Sequence, residues 1–216
     1  MRLNDIGHKA RQLVKALHWQ KQLRAVVSFH LALLENPGDD TLGGLTAEEE
    51  SRVVELIHAA AVFDGPIVEF GTLFGITTQL MAAEKRHGQR LISVDNFSWN
   101  PFGLSPAQHE ALTRRVLRRQ IAQGRVLLYV GNSAAFRSSY NGVTPSLVFF
   151  DADHSYETVL DEISWAKTFG VPLISGHDYG NNRFGVTRAV DASFPNCVSV
   201  RGSVWSWDAR KESLLN

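Results

Sequence analysis

The sequence predicts an α/β fold, a doubly wound and mostly parallel sheet, and three observations carry that prediction. From residue 65 onward, short β-branched and apolar runs alternate with stretches of helical periodicity. Glycine, proline and polar clusters punctuate the alternation. Parallel neighbours need crossover connections, so strands alternating with helices imply a sheet covered on both faces. The chain has 216 residues, 44% of them hydrophobic, which is enough to bury a core without disulfides or a structural metal.

The elements follow in order. Residues 6–36 place Leu13, Leu17, Leu23, Val27, Leu31 and Leu34 at approximately helical spacing, with lysines and arginines between them; this is an amphipathic helical segment whose basic face is read as solvated. Pro37-Gly38-Asp39-Asp40 and Gly43-Gly44 break it. Thr46 with Glu49 three residues on is a capping box, and Val53, Ile57, Ala60 and Ala61 line one face of the helix it opens. After Gly65-Pro66 come strand 67–70, a helix near 76–87, strand 91–94, a helix near 105–122 and strand 126–130. Strand 147–150, a helix near 157–168, strand 171–175 and a helix near 186–194 continue the pattern. Runs 198–201 and 204–207 flank Gly202 and predict an antiparallel C-terminal hairpin. Residues 1–62 supply only helices, so they are expected to form a cap or dimerisation element ahead of a ligand-binding domain at 63–216.

Composition narrows the function. Lys and Arg number 22, equal to Asp and Glu, for a formal net charge of zero, so no global field attracts nucleic acid or an anionic membrane. The Arg114, Arg115, Arg118, Arg119 patch is read as a solvated helix face, and Trp205 and Trp207 as core. No run approaches the roughly 20 apolar residues of a membrane span, and no basic segment leads into an apolar leader with a small-residue cleavage site. The single Cys197 has no Cys-x-x-Cys partner and is read as core packing. A soluble, unprocessed, cytoplasmic protein acting on a small molecule is the expectation.

Ligands of an open parallel sheet bind beyond the carboxyl ends of its strands. The first such turn runs Glu69-Phe70-Gly71-Thr72-Leu73-Phe74-Gly75. Gly71 permits close backbone approach and Gly75 a tight entry into the next helix. The Gly-x-x-x-Gly spacing departs from the dinucleotide fingerprint and lacks the lysine of a phosphate loop. Glu69 suits a ligand carrying an ammonium group, and Asp95, ending the second strand, has the spacing of a carboxylate that takes ribose hydroxyls. Taken singly, each is equally a helix cap or a solvated side chain; with the loop, the pair points to adenosine joined to an amino acid.

Val68–Thr78 resembles the S-adenosylmethionine loop of class I methyltransferases. Asp151-Ala152-Asp153-His154-Ser155-Tyr156 with Gly176-His177-Asp178-Tyr179 resembles a subgroup comprising macrocin-type O-methyltransferases and cephalosporin-hydroxylase-like proteins. The resemblance spans about residues 65–195 and implies a Rossmann-like methyltransferase fold. It implies S-adenosylmethionine held by Glu69, Gly71, Thr72, Gly75, Asp95, Asn96, Asn132, Ser133 and Asp151, with Trp99 as a further contact. Leu73 stands where many methyltransferases have a second glycine. The resemblance also implies Asp151 and Asp178 as ligands of a divalent ion such as Mg²⁺ or Mn²⁺, with His177, where relatives often have a carboxylate, as the third; chemically, an ion there leaves proton removal to a nearby base, Asp153 or His154.

The expected activity is metal-assisted O-methylation of a small-molecule hydroxyl, a sugar or a phenol, by a monomer or a homodimer. An iron-dependent oxygenase and a non-catalytic cofactor-binding scaffold are the alternatives.

Overall fold

A computed structural model describes Leu17, residues 44–99 and residues 104–212. Apart from Leu17, the segment predicted as helix over 6–36 lies outside the described residues. The elements are α1 (Ala47–Ala60), β1 (Ile67–Phe70), α2 (Ile76–Glu84), β2 (Leu91–Asp95), α3 (Pro106–Val116), α4 (Arg118–Ala122), β3 (Val126–Val130) and α5 (Ser133–Ser139). They continue with β4 (Leu147–Phe150), α6 (Tyr156–Thr168), β5 (Leu173–Gly176), α7 (Val186–Ser193), β6 (Ser199–Arg201), β7 (Val204–Asp208) and α8 (Ala209–Glu212).

One seven-stranded sheet has the order β3-β2-β1-β4-β5-β7-β6. β1 to β5 run parallel, and β7 inserts antiparallel between β5 and β6. The C-terminal hairpin therefore forms as predicted, and its second strand makes the contact with the parallel sheet. Side chains alternate across the strands as the pleat requires. Val68, Phe70, Val148 and Phe150 pack beneath Val159, Ile163, Val186 and Val190 of α6 and α7. Ile67, Leu147 and Phe149 face the other way, against Val53, Ile57 and Ala60 of α1 and Met81 of α2. The face of α1 is thus part of the sheet's own core, and the capping box that starts it is present as predicted. Trp205 is fully buried. No helix among the described residues is long and apolar enough to cross a membrane.

Three local expectations are corrected. The helix near 105–122 is two helices, because at Leu117 the backbone turns to φ −86, ψ 5 and its fully buried side chain drops into the core. A short helix, α5, occupies the connection after β3, where no helix is expected from the sequence; Asn132 caps it by accepting from the Ala135 N–H. The fifth strand starts at Leu173 and not at Val171, since Pro172 has no N–H to give a ladder.

Pairing at the carboxyl ends brings distant residues to one edge of the sheet. Phe70 is in register with Phe150, and Phe150 with Gly176. One residue further, Asp151 donates its N–H to the Phe70 carbonyl and His177 donates to the Phe150 carbonyl. Gly71, Asp151 and His177 are therefore side by side at the switch in strand order between β1 and β4.

Candidate active site

A cavity of about 2030 Å³ opens over these strand ends, lined by the β1–α2 turn, the ends of β2 and β3, the β4–α6 and β5–α7 loops and the first turn of α1. The β1–α2 turn is bent by positive φ at Gly71, Leu73 and Gly75. A Cβ on Gly71 would lie 1.9 Å from the Asp151 carbonyl oxygen, so glycine is what lets β1 and β4 close here. Leu73, with φ 47, adopts the left-handed backbone that a second glycine would have taken.

That strained conformation is held by Asp95. One of its oxygens accepts from the Thr72 and Leu73 N–H groups, both at 2.8 Å, and the other from Phe97 N–H at 2.6 Å. Thr113 Oγ1 donates to the Leu73 carbonyl. Three of the roughly four acceptor positions of the Asp95 carboxylate are in use, and the residue lines the cavity. Asn96 accepts from Ser98 N–H in the following turn. Thr72, Asn96, Asn132 and Ser133 line the cavity as well.

Glu69 and Gly75 do not line it. Glu69 shares the Ile67 face of β1, so α2 covers it completely. Its Oε2 accepts from Thr78 and Ser93 hydroxyls at 2.6 Å each, while Oε1 is buried without a partner. Burial lifts its pKa to about 7 against those two bonds, with Asp151 and Asp95 adding repulsion. Gly75 is the left-handed residue before α2, and a Cβ there would meet Leu117 at 2.9 Å.

The sharper convergence is at the ends of β4 and β5. His154 Nε2 lies 3.0 Å from Asp178 Oδ2 and 3.6 Å from Asp151 Oδ1. His177 Nδ1 lies 3.6 Å from Asp151 Oδ1 and 3.5 Å from Asp178 Oδ2. Asp151, His177 and Asp178 offer donor atoms that all lie within 4.8 Å of one another. Burial would lower both imidazoles, but the carboxylates overcome it, holding His154 at about 10 and His177 at about 12. Asp178, despite its burial, is held well below the usual carboxylate range by the two histidines. Its own φ of 62 is in the left-handed region, and the His154 ring stacks on Phe184 at 4.5 Å.

Asp153 takes no part in this cluster. It is exposed, and its Oδ1 accepts from Ser155 N–H at the start of α6. A residue that the sequence explains by another role does take part. Glu49 accepts from Thr46 N–H as the capping box requires, yet its other oxygen accepts from Ser203 N–H and Oγ at 2.7 Å each and lies 3.5 Å from His177 Nε2. His109, buried between Phe74 and Phe97, carries no sequence signal either; it lines the cavity, and burial lowers its pKa against the pull of Asp95.

The family model for a methyltransferase domain matches residues 68–179, more than half of the chain. A Klebsiella pneumoniae protein of known structure superposes with a TM-score of 0.59 at 19% identity, covering 87% of this chain and 89% of that one. An O-methyltransferase from Bacillus cereus, solved with SAH, gives 0.59 at 16% identity over 88% of this chain and 90% of its own. CalS11, a TDP-rhamnose 3'-O-methyltransferase of calicheamicin biosynthesis, gives 0.59 at 16% over 88% and 93%. At these identities the likeness is one of fold. No curated protein matches the chain by sequence.

Proposed function

The chain belongs to the methyltransferase domain family, and on that premise we propose that it is an S-adenosylmethionine-dependent O-methyltransferase acting on a small-molecule hydroxyl, a sugar or a phenol, with a divalent ion beside the acceptor. The observation that carries this reading is the cluster of Asp151, His177 and Asp178 next to the Gly71 turn at the switch in strand order. Residues 63–216 are proposed as the transferase domain and residues 1–62 as a helical cap or dimerisation element.

The residues present fit both groups. Asp95, fixed by three N–H groups, has acceptor capacity left for a ribose hydroxyl. Ligand atoms about 2.1 Å from one ion, at angles between octahedral and tetrahedral, stand about 3.0–3.4 Å apart. In the cluster His177 Nδ1 stands 3.6 and 3.5 Å from the Asp151 and Asp178 oxygens, and the three donor atoms all lie within 4.8 Å of one another, slightly wider than a bound ion would draw them. S-adenosylmethionine supplies a methyl group on a sulfonium, and a divalent ion supplies positive charge that acidifies and orients the acceptor hydroxyl.

The chain's own residues do the rest. Asp95 fixes the turn along which the cofactor lies. Asp151, Asp178 and His177 hold the ion. His154 is proposed as the base: its Nε2 is held protonated while it faces Asp151 and Asp178, and is freed, once those two carboxylates hold the ion, to take the hydroxyl proton as oxygen forms its bond to the methyl carbon and the sulfur–methyl bond breaks. Its stacking on Phe184 fixes the ring for that role. Asp153, turned toward Ser155, is the weaker candidate for base.

Calorimetric titration of the purified protein with S-adenosylmethionine and its demethylated product, with EDTA and with Mg²⁺, tests this. Micromolar binding is expected, followed by ion-dependent turnover in a screen of hydroxylated acceptors. Absence of cofactor binding overturns the proposal. Iron content with oxygen uptake would instead favour an oxygenase.

A further inference from the structure

We infer that Glu49, which lies upstream of the matched methyltransferase region, is the positioning residue for His177, and that it makes the ion site one for a transition ion with affinity for imidazole nitrogen in preference to Mg²⁺. The inference rests on the ion site proposed above. Among the described residues, His177 is held by carboxylates on both edges of its ring: Glu49 Oε1 at 3.5 Å from Nε2, and Asp151 Oδ1 and Asp178 Oδ2 at 3.6 and 3.5 Å from Nδ1. A carboxylate accepts hydrogen bonds and donates none. Both ring nitrogens thus face carboxylates; an ion between Asp151 and Asp178 would displace the proton on Nδ1, while Glu49 keeps the one on Nε2. A carboxylate on the far nitrogen of a ligating histidine fixes both the tautomer and the ring.

The His177 side chain is 9% exposed and Nε2 is buried without a hydrogen-bond partner, with Glu49 Oε1 the carboxylate oxygen facing it at 3.5 Å. Glu49 is in turn built into its place. The Ser203 N–H and hydroxyl both donate to the same Oε1, and Thr46 N–H donates to Oε2. The β6–β7 turn leaves room for it: a Cβ on Gly202 would stand 2.7 Å from Glu49 Cγ and 2.8 Å from Oε1. A cap needs only the bond to Thr46; the second oxygen, buried against a histidine far along the chain, is what the cap does not explain.

The donor set then contains a nitrogen where an all-oxygen site would suit Mg²⁺. Magnesium prefers oxygen and gives up water reluctantly, whereas imidazole favours iron, cobalt, nickel and zinc.

The test is calorimetric titration of the chelator-stripped full chain with Co²⁺ and, separately, with Mg²⁺, with the visible spectrum of bound Co²⁺ recorded. Wild type should bind Co²⁺ about 100-fold or more tighter than Mg²⁺. Glu49→Gln should weaken Co²⁺ binding about 10- to 100-fold and alter its spectrum, with little change for Mg²⁺. His177→Asp, an all-oxygen set, should bring the two affinities to within about tenfold of each other. Equal affinities in wild type, or a folded Glu49→Gln protein with unaltered Co²⁺ affinity, overturn the inference while the ion site stands. Should Glu49→Gln not fold by circular dichroism, an unchanged preference in His177→Asp overturns it. Failure of wild type to bind either ion at millimolar concentration removes the ion site and this inference together.

Discussion

Replacing Glu69 by Gln tests whether a neutral acid lies under the cofactor turn. The group is fully buried, and its pKa rises from 4.5 to about 7 because burial outweighs the Ser93 and Thr78 hydroxyls that donate to it. Between these two values the folded protein binds a proton that the unfolded chain has released. Stability therefore falls as pH rises from about 4.5 to about 7, the reverse of a salt-bridged carboxylate. At about 1.4 kcal/mol per pH unit, the full loss is roughly 3 kcal/mol. Gln has the same shape, and its carbonyl can accept from Thr78 and Ser93 as Oε2 does, while its amide replaces the unpartnered Oε1. Urea unfolding of both proteins at pH 5 and pH 8, in the absence of cofactor, isolates the effect. The stability of Glu69→Gln relative to wild type should grow by about 2–3 kcal/mol from the lower pH to the higher. Parallel pH profiles would show that Glu69 is charged and solvated in the folded state. The same variant tests the ammonium contact expected of Glu69: a loss of S-adenosylmethionine affinity beyond about tenfold means that its charge reaches the ligand.

The remaining contacts of the site are tested in the same way. Asp95→Asn leaves one acceptor oxygen for three N–H groups, so calorimetry should show S-adenosylmethionine binding weakened about 10- to 100-fold; unchanged affinity removes the ribose assignment. Gly71→Ala combines φ 95 with a Cβ 1.9 Å from the Asp151 carbonyl, and urea unfolding should show a loss of about 3–5 kcal/mol or no folded protein. Asp178→Asn should cost turnover more than about 100-fold while cofactor affinity stays within about threefold. Chelation of wild type should do the same, and turnover in EDTA equal to that with added ion would remove the ion from the reaction.

The α/β alternation is legible because strands such as 67–70 and 147–150 are nearly continuous apolar runs, the mark of strands buried on both faces. What escapes a reading of the sequence lacks periodicity or punctuation. α5 reads Ser-Ala-Ala-Phe-Arg-Ser-Ser, with Phe136 as its one buried residue, and a single apolar anchor gives no period. The break at Leu117 has neither glycine nor proline to announce it. It comes from packing, since Leu117 fills the space beside Gly75, a contact between residues distant in sequence. Glu69 looks like a cofactor contact from its place at the end of a strand. The pleat decides otherwise, because alternation puts residue 69 on the same face as residue 67 and beneath α2.

The site divides along the same line. Asp95, Asp151, His177 and Asp178 are accessible to sequence reasoning because each ends or closely follows a strand, and a parallel sheet collects its carboxyl ends at one edge whatever lies between them in sequence. Glu49 is hidden by having a sufficient local explanation: Thr46 three residues before it accounts for one oxygen and leaves no local sign that the other is engaged. That second engagement depends on β7 running antiparallel beside β5, which carries the Ser203 turn back to the carboxyl end of β5. Ser175 pairs with Ser206 and Gly176 with Trp205, so continuing the register sets Ser203 opposite Asp178, next to His177, and Tyr179 N–H donates to its carbonyl. The hairpin that closes the sheet therefore also anchors Glu49 of α1 beside the site. A substitution in the β6–β7 turn that spares every strand-end residue, such as Gly202→Ala with its Cβ against Glu49, should then reach His177 through Glu49 and not through the sheet.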